Sequence, residues 1–183
     1  LEWTQAILRV AQAKQAPTII AASMGAIKYM GGFETVANLI RNLDQSLEIN
    51  VPISIHLDHG DYDSAKAAIK AGFTSIMFDG SHLPLIENLE KTREIVALAH
   101  EKNISVEAEV GSIGGEEDGV IGNGEIASVA DAIAMIQTQI DFIAAGIGNI
   151  HGLYPENWLG LNLNHLQTLT TAVNDITQHR VPF

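Results

Sequence analysis

The sequence contains no cysteine. Disulfides and thiolate-bound zinc are therefore excluded, and any transition metal must be held by histidine and carboxylate. Basic residues are also scarce. Lys and Arg number 10 against 22 Asp and Glu, a formal net charge of -12. Such a balance argues against nucleic acid and anionic membranes as partners. It leaves room for a phosphorylated small molecule, which helix N-termini, backbone amides and a metal can hold. No window reaches the roughly 18 consecutive apolar residues of a membrane span. The chain opens on an amphipathic pattern, "LEWTQAILRVAQAK", and not on a basic and hydrophobic leader. With the missing cysteine, this predicts a cytoplasmic protein. Low-complexity segments and an interdomain linker are missing too, so the 183 residues are expected to form a single domain.

Regular alternation is what the sequence does have. Short apolar runs lie at "PTIIAAS" (17–23), "VPISIHLD" (51–58), "TSIMFDG" (74–80), "ISVEAEV" (104–110) and "DFIAAGIG" (141–148). Helical patterns separate them, at 33–48, 62–71, 86–102, 128–139 and 162–177. Strand–helix alternation builds a parallel sheet, either a doubly wound open sheet or a (β/α)8 TIM barrel. The strands decide between them. In "VPISIHLD", Ile53, Ile55 and Leu57 share one face, and Ser54, His56 and Asp58 the other. A sheet covered on both sides by helices wants both faces apolar, whereas a barrel strand has a confined, partly polar interior. The G-x-G-x-x-G turn of the doubly wound alternative is also missing. A barrel needs eight strands. Here five are legible, with a sixth beginning at "RVPF". The expectation is an incomplete barrel, an interior piece cut at both ends. The segment "GGEEDGVIGNGE" (114–125) reads as a long functional loop without helix or strand.

Polar groups stand at the C-terminal end of every strand. They are Ser23, then Asp58 and His59, then Asp79, Ser81 and His82, then Glu107 and Glu109, then Asn149 and His151. Barrel proteins place their chemistry on that face. Taken singly, Asp79 before a glycine is also ordinary turn chemistry, and Glu-x-Glu an ordinary solvated face. Together, two histidines and several carboxylates suit a divalent ion such as zinc. His56 points below Asp58 by strand parity and is expected to be a buried, hydrogen-bonded support. His100 and His179 fall near helix ends, facing the dipole or solvent, and His82 and His165 receive no role. Asp58 and His59 are adjacent, so parity would send them to opposite faces. The strand must therefore end or bend at Asp58.

The motifs "NVPISIHLDHG", "AGFTSIMFDGSHLPLIENL", "ISVEAEVGSIGGEED" and "IGNIHGLY", with "SMGAIKYMGGFETV" before them, resemble the class II, metal-dependent fructose-1,6-bisphosphate aldolases of bacterial type. The resemblance covers the whole chain. It implies a (β/α)8 barrel, a lyase that reversibly cleaves fructose 1,6-bisphosphate into dihydroxyacetone phosphate and glyceraldehyde 3-phosphate in glycolysis and gluconeogenesis, and a homodimer or higher homo-oligomer. Zinc would act as a Lewis acid on the ketose half and stabilise the enediolate. By motif, Asp58 resembles the catalytic acid/base. His59 and His151 resemble zinc ligands, and Glu109 and Asp79 carboxylates of a second metal position. Ser23 resembles a contact to the aldehyde half, and Gly152 a backbone contact to the ketose phosphate. Glu117, with Glu116 beside it, resembles a mobile proton-transfer segment. The family's third zinc histidine lies in an "HGGSG"-like, phosphate-cradling segment. That segment, a later asparagine-bearing strand end, and a first strand with its "FN" motif have no counterpart here. The alternatives are a tagatose-1,6-bisphosphate aldolase and a catalytically inactive barrel fragment.

Overall fold

The computed structural model describes residues 2–117, 120–177 and 179–183. The chain divides into two compact units, Leu1–Met77 and Phe78–Phe183.

The first unit runs α1 (Glu2–Lys14), β1 (Thr18–Ser23), α2 (Met24–Met30), α3 (Phe33–Ser46), β2 (Ile53–Gly60) and α4 (Tyr62–Ala71), and ends in β3 (Ser75–Phe78), whose last residue opens the second unit. Helix α3 buries Val36, Ala37 and Ile40, one stripe of its surface. Helix α4 starts where Asp61 accepts a hydrogen bond from the Ser64 N–H at 2.8 Å. It stops at Gly72, in the left-handed region at φ 84°, whose N–H reaches back to the last turn. The unforeseen α2 is one such start placed directly on a strand end. Ser23 closes β1 and its Oγ accepts the Ala26 N–H at 3.3 Å. β1 and β2 are parallel, and their register sets Ser23 beside Asp58. Leu8, Ile27, Val36 and Leu57 are buried in this unit.

The second unit contains α5 (Leu85–His100), β4 (Ser105–Val110), β5 (Gly114–Glu117), β6 (Val120–Asn123), α6 (Val129–Ile136), β7 (Phe142–Ala145), β8 (Ile150–His151) and α7 (Leu163–Thr177). β4 and β7 pair in parallel, Glu109 opposite Ala144. Ile95, Val106, Met135, Ile143 and Leu169 are buried here. The apolar runs read from the sequence thus become β1, β2, β3, β4 and β7, and helices stand between them. This is the α/β organisation of an incomplete (β/α)8 barrel.

Two expectations are corrected. First, residues 114–125 are not free of regular structure. β5 and β6 form an antiparallel ladder, and β8 joins β5 in parallel, in the order β6-β5-β8. The glycines hide these strands because they lack the usual β-forming side chains, yet they are what allows the backbones so close. A Cβ on Gly115, at φ 87°, would collide with the carbonyl oxygen of His151, and one on Gly122 with that of Ile113. Second, no strand is assigned at "RVPF". The Pro182 carbonyl nevertheless accepts the Ile143 N–H at 3.1 Å, a first sheet-like contact on β7.

Candidate functional site

In the first unit the candidates sit at the ends of β1 and β2. The buried centre of β2 comprises Ile55, His56 and Leu57. His56 is 5% exposed and its Nδ1 lies 2.8 Å from the Ser75 hydroxyl, so it is the buried, hydrogen-bonded support that parity suggested. Beyond it, Asp58 and His59 are half-buried. The strand does not end at Asp58. It runs on to Gly60, and the bend falls one residue later, at His59, whose φ is 47°. That left-handed backbone at a non-glycine residue costs about 1–2 kcal/mol and breaks the alternation of side chains. Gly60 follows in close quarters, where a Cβ would meet the Leu57 side chain and lie 3.1 Å from the Met77 carbonyl oxygen. Such an outlier, at a strand end that carries two ionisable side chains, motivates a functional hypothesis for this turn.

In the second unit Asp79 and Glu109 come together. Their carboxylate oxygens lie within 4.8 Å of one another. Asp79 is half-buried, and its Oδ1 accepts the Ser81 N–H at 3.0 Å, so the turn chemistry expected at "DG" is present as well. Glu109 is 1% exposed, and its Oε1 accepts the Ile113 N–H at 3.0 Å. Two carboxylates at this spacing, one fully buried, repel unless a proton or a cation sits between them. Oxygen donors without sulfur suit a hard or borderline divalent ion.

His151 does not join that carboxylate pair at the same spacing among the described residues. It is half-buried in β8, opposite Gly115 of β5. The loop before it is fixed by Asn149, whose Oδ1 accepts the Ile147 N–H at 2.8 Å and whose carbonyl accepts the Gly114 N–H at 3.0 Å. After it, Gly152 has φ 78° and open space on its Cα. Glu116 is exposed in β5. Glu117 ends β5, and its side chain lies outside the described residues. Outside this set, His100 Nε2 lies 3.0 Å from Asp141 Oδ2, and His165 Nε2 2.7 Å from the Ala127 carbonyl oxygen. A buried polar residue next to the site, without a mark in the sequence, is Asn88, which donates to the Glu109 carbonyl at 3.1 Å.

Parallel strands, intervening helices, and acids and histidines at the strand ends define the class, an α/β-barrel protein with its polar groups on the C-terminal side of the strands. Comparison with known proteins gives the family. The family described as fructose-bisphosphate aldolase class-II matches residues 1–182. A fructose-bisphosphate aldolase of Streptococcus pyogenes serotype M1 is 66% identical over 173 residues, 94% of this chain and 59% of that protein. One from Streptococcus pneumoniae is 65% identical over the same shares. A crystal structure described as a fructose-1,6-biphosphate aldolase from Coccidioides immitis superposes with a TM-score of 0.82 at 35% identity, covering 99% of this chain and 63% of that one. The chain belongs to the class-II fructose-bisphosphate aldolase family. It spans 59% of the length of these streptococcal relatives.

Proposed function

We propose that the protein is a zinc-dependent lyase that reversibly cleaves fructose 1,6-bisphosphate to dihydroxyacetone phosphate and glyceraldehyde 3-phosphate. The observation that carries this reading is the Asp79–Glu109 carboxylate pair, its oxygens within 4.8 Å and Glu109 buried, an oxygen-donor pair suited to a divalent cation. Family membership supplies the substrate: the relatives described above carry the name fructose-bisphosphate aldolase.

The residues would share the work as follows. His59 and His151 would hold zinc, with Glu109 and Asp79 offering a second carboxylate position; His59, Asp79 and Glu109 have the donor chemistry for it. When bound, zinc supplies Lewis-acid polarisation of the ketose oxygens, the role that a lysine Schiff base fills in other aldolases. The Asp58 carboxylate takes the proton of the C4 hydroxyl in cleavage and returns it to the aldehyde oxygen in condensation. Ser23, in register with Asp58, bonds the aldehyde half through its Oγ, which also caps α2. The Gly152 N–H, on an open left-handed turn, contacts the ketose phosphate. Glu117, with Glu116 next to it, exchanges the carbanion-carbon proton. The whole chain is read as part of one barrel domain in a cytoplasmic homo-oligomer serving glycolysis and gluconeogenesis. Among the described residues no helix is long and apolar enough to cross a membrane.

The substrate assignment is tested by measuring kcat/KM of the zinc-loaded, full-length protein for fructose 1,6-bisphosphate and for its C4 epimer, tagatose 1,6-bisphosphate. The expected result favours the fructose ester by at least about tenfold, the low end of discrimination between closely similar substrates. A preference for the tagatose ester would reassign the substrate.

A further inference from the structure

Helix α5 carries two buried polar side chains that the proposed chemistry does not use. Asn88 is 3% exposed, and Thr92, one turn later, is fully buried. The Asn88 Nδ2 donates to the main-chain oxygen of Glu109 at 3.1 Å. A carbonyl can only accept, so this bond fixes which way the carboxamide points. Nδ2 faces β4, and Oδ1 faces away from it. On that other side, the Thr92 hydroxyl lies 3.3 Å from Asn88 Oδ1 while donating to the Asn88 carbonyl at 2.7 Å. Oδ1 also fills the space beside Gly80. A Cβ on Gly80 would collide with it and would lie 2.7 Å from Asn88 Cγ.

Gly80 is the residue after Asp79. One carboxamide therefore holds the main chain of Glu109 on one side and packs against the turn of Asp79 on the other. Both of its ends are engaged in a dry environment, where moving an amide off its partners is costly. Ordinary packing of a helix on a strand would need only apolar side chains at 88 and 92. A polar brace between the two carboxylate-bearing turns is a more specific device, of the kind that orients metal ligands from outside.

We propose that Asn88, supported by Thr92, is a positioning residue that sets the separation of the Asp79 and Glu109 carboxylates and thereby their affinity for a divalent cation. The affinity part rests on the reading of these carboxylates as metal ligands; the positioning part does not.

The test uses the full-length protein with Asn88→Ala and, separately, Thr92→Val, which removes a hydroxyl at nearly constant shape. Three readouts are taken. They are zinc affinity by competition with a chromophoric chelator, the visible spectrum of the cobalt-substituted protein, and hydrogen exchange of the Ile113 amide, which reports on the Glu109 carboxylate in the metal-free state. Asn88→Ala is expected to weaken zinc by about 10–100-fold, to alter the cobalt spectrum and to speed Ile113 exchange. Thr92→Val is expected to do the same to a smaller extent, and it decides the matter if Asn88→Ala does not fold. Folded variants with unchanged zinc affinity, cobalt spectrum and Ile113 exchange would overturn the proposal. If the unsubstituted protein binds neither ion, the metal reading itself fails. Ile113 exchange then judges positioning alone, faster exchange supporting it and unchanged exchange overturning it.

Discussion

Asp58→Asn in the zinc-loaded, full-length protein is expected to lower kcat by about 10²–10⁴-fold, the range over which a positioned acid or base acts. The substitution keeps the size of the side chain and removes its ability to take a proton. Asp58 stands on β2 after a buried segment that includes His56, which is itself fixed by Ser75, so the strand is held from below whatever occupies position 58. Zinc content and KM are therefore expected to change little. The check is a coupled assay for triose phosphate alongside metal analysis of the same preparation. Turnover close to that of the unsubstituted protein would remove Asp58 from the chemistry.

The second large effect is expected from His151→Ala. Loss of an outer hydrogen-bond partner of a metal site costs roughly 10–100-fold in affinity, and loss of a ligand should exceed that. The protein is expected to emerge from desalting without stoichiometric zinc, and with activity reduced in proportion. The fold should survive. β8 is held by main-chain pairing with β5, and the preceding loop by Asn149. Full zinc stoichiometry in the variant would take His151 out of the ligand set.

How much of this could be read from the residues depends on the kind of signal each leaves. The strands were legible because short apolar runs in a repeating βα pattern have few other uses, and β1, β2, β3, β4 and β7 fall on them. The polar strand ends stood out against those runs for the same reason. Helix α2 was missed because seven residues are too few for a period of 3.6 to show. Its start is a capping interaction of Ser23, a residue whose other reading was as a contact to substrate. The β5–β6 pair was missed because its short strands are interrupted by Gly114, Gly115 and Gly122, whose contribution is the close approach of other backbones. The parity conflict between Asp58 and His59 did announce a bend. Its position, φ 47° at His59, could not be read, since a histidine carries no mark of a left-handed backbone. Asn88 left no signal either. Within "LIENLEK" it looks like any polar helix position, and only its burial against Glu109 and Gly80 distinguishes it.

On the proposed function, a bound divalent ion and these strand-end residues together cleave a ketose bisphosphate. The most direct test is to assay fructose 1,6-bisphosphate cleavage by the full-length protein as isolated, after exhaustive chelation, and after zinc is returned. Cleavage is expected to be lost on chelation and to recover with about one equivalent of zinc per chain, the stoichiometry of a single catalytic site. Cleavage that persists through chelation, or a chelated protein that zinc cannot restore although it rebinds the ion, would contradict it.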